Sequence, residues 1–497
     1  MGEQSNTKQA FWIGLGSLMS FLVGIISSMI LSRVLSKSDY GTYRQVIFVY
    51  NTLLAVFSLG LPKAYSYFLP KYEMIYARDI IKKITYLFFF LGAVFSLVLL
   101  CGASVIASIL GNPELSLAIK VFSPTPFFLL PTLGIEGIFA TYRKSHYVTL
   151  YIALTRTITV LATVLPVLLF NGTYIHALIG FDIASLFAFF IAFFLKEFPV
   201  RGYKHVRSTL SYKSIISFSL PLMYASIWGL VLGSAAQFFI SRYYGNDIFA
   251  EFSNGFIELP ITAMVVASIA TVLLPRFSEK DTGDGMNDDV LALWRNSLIK
   301  SSKIIFPVLV FSSFFSFLIM ECLYGRIYRS SGAYFLIKNI SGLCYIVPFA
   351  PILLSIGKSK QYANVHMFMA ILCVMLEFTC VKLFDSPIIV AVVAEVCQVF
   401  KVSIMISMIK TYSRRRLEEL IPHDIFSVLV VSIMASSVPF MLSFICKFNP
   451  FAMLFVVLAL FVVIYLAFCW LLKISYKGII YGVFPGLKHT LFDKVIP

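Results

Sequence analysis

The feature that most constrains this chain is an apolar run from about Phe11 to Leu31, followed after a short polar turn by a second from about Thr42 to Leu69. Each is long enough for an α-helix to traverse a bilayer core, which takes roughly 20 residues. Between them lie Arg33, a turn of Ser36, Lys37, Ser38 and Asp39, and the pair Tyr40-Gly41; the second run stops at Pro70, Lys71 and Tyr72. The same unit, a long apolar crossing, a short turn and a return, recurs along the chain. No polar block is long enough to fold alone. The chain carries 13% charged residues, about half of the roughly 25% usual in soluble domains. That excludes the several soluble domains its 497 residues would otherwise suggest. A transmembrane β-barrel would show alternating segments rather than continuous apolar runs. Helices are the remaining way to satisfy backbone polar groups in lipid.

The expectation is therefore an all-α polytopic membrane protein with about 14 transmembrane helices. After the first two, crossings are expected near 84–109, 117–141, 149–170, 176–195, 214–241, 249–274, 298–322, 333–356, 362–384, 388–409, 425–446 and 451–472. The connections alternate. One set is longer and basic: Lys71 to Lys83, Arg143-Lys144, Lys196 to Lys213, Arg276 to Lys303, Lys358 to Lys360, Lys410 to Arg416 and the tail from Lys473. The other set is short and holds far fewer Lys and Arg. The positive-inside bias puts the basic set, and with it both termini, in the cytoplasm. An even number of crossings follows.

The net charge of +16, from 40 Lys plus Arg against 24 Asp plus Glu, is read as this topological signal and not as a nucleic-acid surface. Two cytoplasmic stretches stand out. Ser278 to Asn296 begins acidic and then reads as a surface helix leading into the ninth crossing. Lys410 to Arg416 suits anionic headgroups or is plain topology signal. The tail from Tyr476 to Pro497 has no full span and is expected to lie along the interface. The eight cysteines lie in or beside apolar spans without metal-ligand spacing and read as packing residues. The N-terminus, with Glu3 beside Lys8 and a first span too long for a signal-peptide core, reads as a true first crossing.

The two halves echo each other. Leu69 to Tyr72 (LPKY) closes the second crossing and Leu274 to Phe277 (LPRF) the eighth. Ile30 to Arg33 (ILSR), followed by Asp39, matches Phe239 to Arg242 (FISR), followed by Asp247. Gly60-Leu61-Pro62 has a looser partner in Glu258-Leu259-Pro260, and the fourth and tenth crossings both hold proline clusters (Pro124, Pro126, Pro131; Pro348, Pro351). The pattern implies two pseudo-repeated six-helix lobes plus two C-terminal helices. In residues these are an N-terminal lobe at 1–196, a cytoplasmic linker at 197–213 and a C-terminal lobe at 214–410. A basic cytoplasmic loop at 411–424, the last two crossings at 425–473 and the interfacial tail at 474–497 follow. Parallel repeats of this kind suit alternating access to a site between lobes. The prolines are either hinges or the ordinary proline content of transmembrane helices.

The stretch Leu31 to Leu35 (LSRVL), with Asp39 to Gly41 (DYG) and Gly60 to Pro62 (GLP), resembles the N-terminus of Wzx-type oligosaccharide flippases. These belong to the multidrug/oligosaccharidyl-lipid/polysaccharide exporter superfamily. The repeat pattern extends the resemblance over the whole chain. It implies a multi-pass protein of the bacterial inner membrane that moves an undecaprenyl-diphosphate-linked oligosaccharide repeat unit to the outer leaflet for surface polysaccharide biosynthesis. No covalent chemistry and no cofactor are then expected, beyond coupling to a Na+ or H+ gradient. The implied partners are that lipid-linked glycan, membrane lipids, and the polymerase and glycosyltransferases of the same pathway; nucleic acid is not among them.

Such a substrate carries two phosphates and a polar glycan, so a cationic, water-filled passage is needed. Each ionisable residue inside a span costs roughly 2.5–3.5 kcal/mol on insertion scales and is a functional candidate on that ground. For diphosphate and glycan the candidates are Lys63, Arg156, Arg44, Lys401 and Tyr67, with structural pairing as the competing reading. For ion coupling they are Glu136, Asp182, Glu258 and Glu395; Glu377 is also within a span. These carboxylates could instead pair with buried cations. Glu395 and Lys401 are six residues apart on one helix and would not meet directly. Arg33, Asp39, Gly41, Arg242 and Asp247 are read as a structural motif, pairing Arg with Asp or capping helix ends. The rival functions are a lipid II flippase, a multidrug cation antiporter with a more acidic cavity, and, from another class, a membrane polysaccharide polymerase. The polymerase would need a large catalytic outer loop, and none is present.

Overall fold

The computed structural model describes residues 6–203, 206–280, 288–355, 357–446, 448–477 and 479. All regular structure among them is helical. Eleven helices among the described residues are long and apolar enough to cross a membrane, and a twelfth is the bent pair Tyr212–Tyr224 plus Ser226–Gly255. This is a multi-pass membrane protein. The expected crossings at 249–274 and 333–356 account for the difference from the sequence count. In their place are a shorter apolar helix, Pro260–Ala270, and two helical pieces, Ser331–Gly342 and Ala350–Ser355. Irregular backbone at membrane depth is tolerated only where protein or a water-filled cavity supplies partners, so these interruptions mark places of interest.

The chain packs as two compact units. One comprises Met1–Ser253 and Cys373–Val390, the other Asn254–Leu372 and Ala391–Pro497. In the first unit, Ser36 caps helix Lys37–Phe57, its hydroxyl accepting from the Asp39 amide at 3.1 Å. That helix ends in a sharp break at Leu59 and Gly60, both left-handed (φ 49° and 69°). Pro62 then starts helix Pro62–Phe68. The fourth crossing is broken more thoroughly. It runs as Leu115–Phe122, Thr125–Leu129, a 3-10 turn at Leu130–Thr132, and Ile135–Thr141, with Pro124, Pro126 and Pro131 at the joints. Proline lacks the N–H that would continue the ladder, and its ring clashes with the preceding turn. The core of this unit is aromatic: the rings of Tyr50 and Phe57 both stack on Phe95, at 5.8 and 4.6 Å. The fifth and sixth crossings meet at Gly180, where a Cβ would lie 1.8 Å from the Ala162 carbonyl oxygen.

In the second unit the buried side chains of Leu298, Phe306, Phe311, Val457 and Phe461 form the heart of a large cluster. Helix Asp288–Phe314 is continuous. The surface helix expected at the start of the ninth crossing is thus its first turns, with Asp288, Asp289, Ala292 and Asn296 exposed on one face and the other face buried. Val290, Leu291 and Trp294 are buried, and the Trp294 indole donates to the Leu420 carbonyl at 3.2 Å. The acidic residues Asp281 and Asp284, and the tail from 480 onward, lie outside the described residues. Arg415 of the basic cluster is held by Asp288 and by Glu419.

Candidate functional site

The opening motif is a joint. Gly41 packs against Asn246 so closely that a Cβ would lie 2.2 Å from the Asn246 carbonyl oxygen. Around that contact runs a polar network. The Asn112 amide donates to Thr42 Oγ1 (3.1 Å) and Gln45 Oε1 (2.6 Å), Gln45 Nε2 donates to Ser241 Oγ (2.9 Å), and Asn246 Nδ2 reaches Thr42 Oγ1 (3.2 Å). Lys37 pairs with Glu251. Arg44 donates to the Ser253 carbonyl at 2.9 Å, and Arg242 to the Ser108 carbonyl near the end of helix Ala77–Leu110, also at 2.9 Å. The turn at 36–46 therefore packs on 239–253, the stretch that echoes it in sequence. Arg33 and Asp247 are exposed here and Asp39 half-buried.

Beyond the joint, the unit presents two of its mid-span charges, Lys63 and Glu136, on broken helices. Lys63 is exposed on the first turn after the Gly60 break. Tyr67, one turn on, stacks on Phe218 with centroids 4.0 Å apart and lies 3.5 Å beneath the Lys71 ammonium. Glu136 is exposed on the first turn of Ile135–Thr141. Those two segments pack closely through Gly134, whose Cβ would strike the Tyr65 ring, and Gly137, which faces Ser66. Lys63 and Glu136 thus sit on neighbouring helix pieces. Arg156 is exposed on His146–Leu169, with its charge near the Tyr50 and Tyr151 hydroxyls. Asp182 accepts from the Thr125 hydroxyl at a proline joint of the fourth crossing.

The second unit brings charges together. Glu395, on helix Pro387–Ser413, is 5% exposed and pairs with Lys338 at 2.7 Å, with the Ser341 hydroxyl on its other oxygen. Lys401 is 9% exposed, six residues from Glu395. It donates instead to Gln398 Oε1 at 2.6 Å and lies 6.0 Å from the Tyr345 ring centroid. Glu258, in the non-helical link before Pro260, completes the lining of a cavity of about 220 Å³. Two carboxylates and two ammoniums therefore share one small space. Thr262 Oγ1 and Asn339 Nδ2 also line it, and both are buried without a hydrogen-bond partner. Buried polar atoms are rarely left so, and a site with spare donors and acceptors is suited to a small polar guest or water. The sequence singled out Glu258, Glu395 and Lys401 but not Lys338. Its partner is 57 residues away, a pairing that helical spacing does not display.

Residues 7–280 match the family described as polysaccharide biosynthesis protein, more than half of the chain. The chain belongs to that family. No curated protein matches it by sequence. Among solved structures, the lipid II flippase MurJ in an inward closed conformation is similar at a TM-score of 0.73 and 15% identity, covering 94% of this chain and 98% of that one. An inward-facing multidrug resistance MATE family transporter is similar at 0.61 and 13% identity, covering 81% and 95%. A MOP superfamily transporter from Pyrococcus furiosus gives 0.55 and 13%, covering 83% and 95%. This polysaccharide biosynthesis family member therefore has the fold of the MOP superfamily, the exporter superfamily its N-terminal motif resembles.

Proposed function

We propose that this protein is a flippase, carrying an undecaprenyl-diphosphate-linked oligosaccharide repeat unit across the bacterial inner membrane by alternating access, for surface polysaccharide assembly. The observation that carries the reading is the placement of Lys63 and Arg156, exposed cations in the middle of apolar spans within a polysaccharide biosynthesis family member. A charge at that depth faces a bundle interior or water rather than acyl chains. Two such cations suit a diphosphate on its way through hydrocarbon, whereas the faces of the Tyr67 ring are taken by Phe218 and Lys71, which weakens its claim on a sugar. The two six-helix lobes, the cytoplasmic termini and the pathway polymerase and glycosyltransferases as partners belong to the same proposal. No covalent step is required, so it is not an enzyme.

Coupling to a cation gradient is assigned to the cavity of the second unit. Glu258 and Glu395 supply negative charge there, and the Thr262 hydroxyl supplies an oxygen without a hydrogen-bond partner. Arg44 and Lys401 already have protein partners, which weakens their claim on substrate relative to Lys63 and Arg156. The test is complementation of a deletion strain at native expression. Lys63→Ala and Arg156→Ala proteins should reach the membrane yet restore only a small part of the surface polysaccharide. Normal polymer from both variants would refute the assignment.

A further inference from the structure

A second cavity, of about 410 Å³, lies wholly within the first unit and is not used by the proposed transport path. Its walls are helices Ala77–Leu110 and Tyr174–Glu197 with the turn that follows. One end of it is ionic: Arg78 and Lys82, one turn apart, face Lys196, Glu197 and Arg201. Glu197 is the single carboxylate among four cations, and Arg78 (2.8 Å) and Lys82 (3.8 Å) already share it. The other end is aromatic, lined by Tyr86, Phe89, Phe189 and Phe193. Tyr86 and Phe193 are half exposed or more, so this end opens onto the surface that apolar spans present to lipid.

Lys196 is the unusual member. It is 2% exposed, and its ammonium donates to the Leu133 carbonyl at 2.7 Å and the Tyr65 hydroxyl at 3.0 Å. The Leu133 carbonyl is freed by the break in the fourth crossing, so one role of Lys196 is to cap that break. Both partners are neutral, and an ammonium has three donors. A buried cation with neutral partners only is costly unless an anion lies near. An excess of positive charge at one end and exposed aromatic surface at the other match a phosphate head joined to acyl chains. The basic end lies at the start of helix Ala77–Leu110 and the end of helix Tyr174–Glu197, beside the connections that the charge bias places at the cytoplasmic face.

We propose that this cleft binds an anionic glycerophospholipid of the cytoplasmic leaflet, its phosphate against Arg78, Lys82 and Arg201 and an acyl chain along Tyr86, Phe89 and Phe193. The lipid completes the electrostatics around Lys196 and braces the broken fourth crossing from outside. This is a site for resident lipid, separate from the mid-span cations that carry the proposed substrate path.

The experiment uses the purified full-length protein in detergent, titrated with dioleoyl phosphatidylglycerol or dioleoyl phosphatidylcholine, with bound lipid read by native mass spectrometry. Wild type should retain phosphatidylglycerol in preference to phosphatidylcholine. Lys82→Gln/Arg201→Gln should weaken phosphatidylglycerol retention roughly tenfold or more, since each surface cation counts for about a factor of five, while Lys82→Arg/Arg201→Lys should keep it. If the double glutamine variant fails to fold, Lys82→Gln alone should show about a fivefold loss. Equal retention of the two lipids, or phosphatidylglycerol retention unchanged by the glutamine variants, overturns the proposal. So does undecaprenyl phosphate occupying the site without competition from phosphatidylglycerol. Loss of polysaccharide export in Lys63→Ala does not bear on this test, so the two readings fail independently.

Discussion

Glu395 shows how individual residues divide between holding the protein together and serving it. Its carboxylate is nearly inaccessible and has both oxygens occupied, by Lys338 and Ser341. Removing one member of a fully buried pair costs about 3–5 kcal/mol in other proteins, an upper bound here because the Lys338 side chain left behind is 23% exposed. Glu395→Gln is therefore expected to lower the midpoint of thermal unfolding in detergent markedly, and Lys338→Met/Glu395→Leu to recover most of it. A single Glu395→Gln variant as stable as wild type would show that the pair is solvated and the cavity open. Glu258 is different. It is exposed, sits in a non-helical link and lies near Lys338 without pairing with it as Glu395 does, so Glu258→Gln is expected to reduce gradient-driven transport with little change in stability. Transport unchanged in Glu258→Gln would remove it from the coupling role.

Helix breaks do the same positioning at the scale of elements. Gly60-Leu61-Pro62 and Glu258-Leu259-Pro260, which echo each other in sequence, both stand where a helix is interrupted. Each puts an ionisable side chain beside the interruption, Lys63 in one and Glu258 in the other. Left-handed Gly60 is what turns the second crossing, and a Cβ there would also press on Leu222 and on the Ser219 carbonyl at 3.1 Å. Gly60→Ala is expected to cost about 1–2 kcal/mol from its backbone conformation alone and to reduce transport by displacing Lys63. Gly41→Ala should be worse for folding, because the 2.2 Å approach to Asn246 is to backbone and cannot be relieved by a side-chain rotation. Expression of the two variants in membranes, compared by quantitative immunoblot, checks the order: less protein for Gly41→Ala than for Gly60→Ala.

For the molecule as a whole, the spans are legible because lipid forces long apolar helices, and among the described residues eleven or twelve of the expected crossings are there, the second and the fourth broken within the span. The crossings expected at 249–274 and 333–356 are interrupted in the structure, because apolar composition persists through a broken helix and only the prolines at 260, 348 and 351 hint at the interruption. The motif around Gly41 was legible as a signature, while its packing against 239–253 depended on contacts some 200 residues apart, such as Gln45 with Ser241. Lys338 and Lys196 are not legible as buried or paired groups for a related reason. Each lies near the end of an expected span, where a lysine reads as a flanking charge, and only the fold shows them buried or paired across helices. The proposal of lipid-linked glycan export rests on family membership, the mid-span cations and the charged cavity of the second unit. The most direct measurement follows undecaprenyl-diphosphate-linked glycan on each membrane face in a strain lacking this protein. The flippase account predicts complete repeat units accumulating on the cytoplasmic face and loss of surface polymer. Repeat units still reaching the outer face, unjoined or polymerised as before, would contradict it.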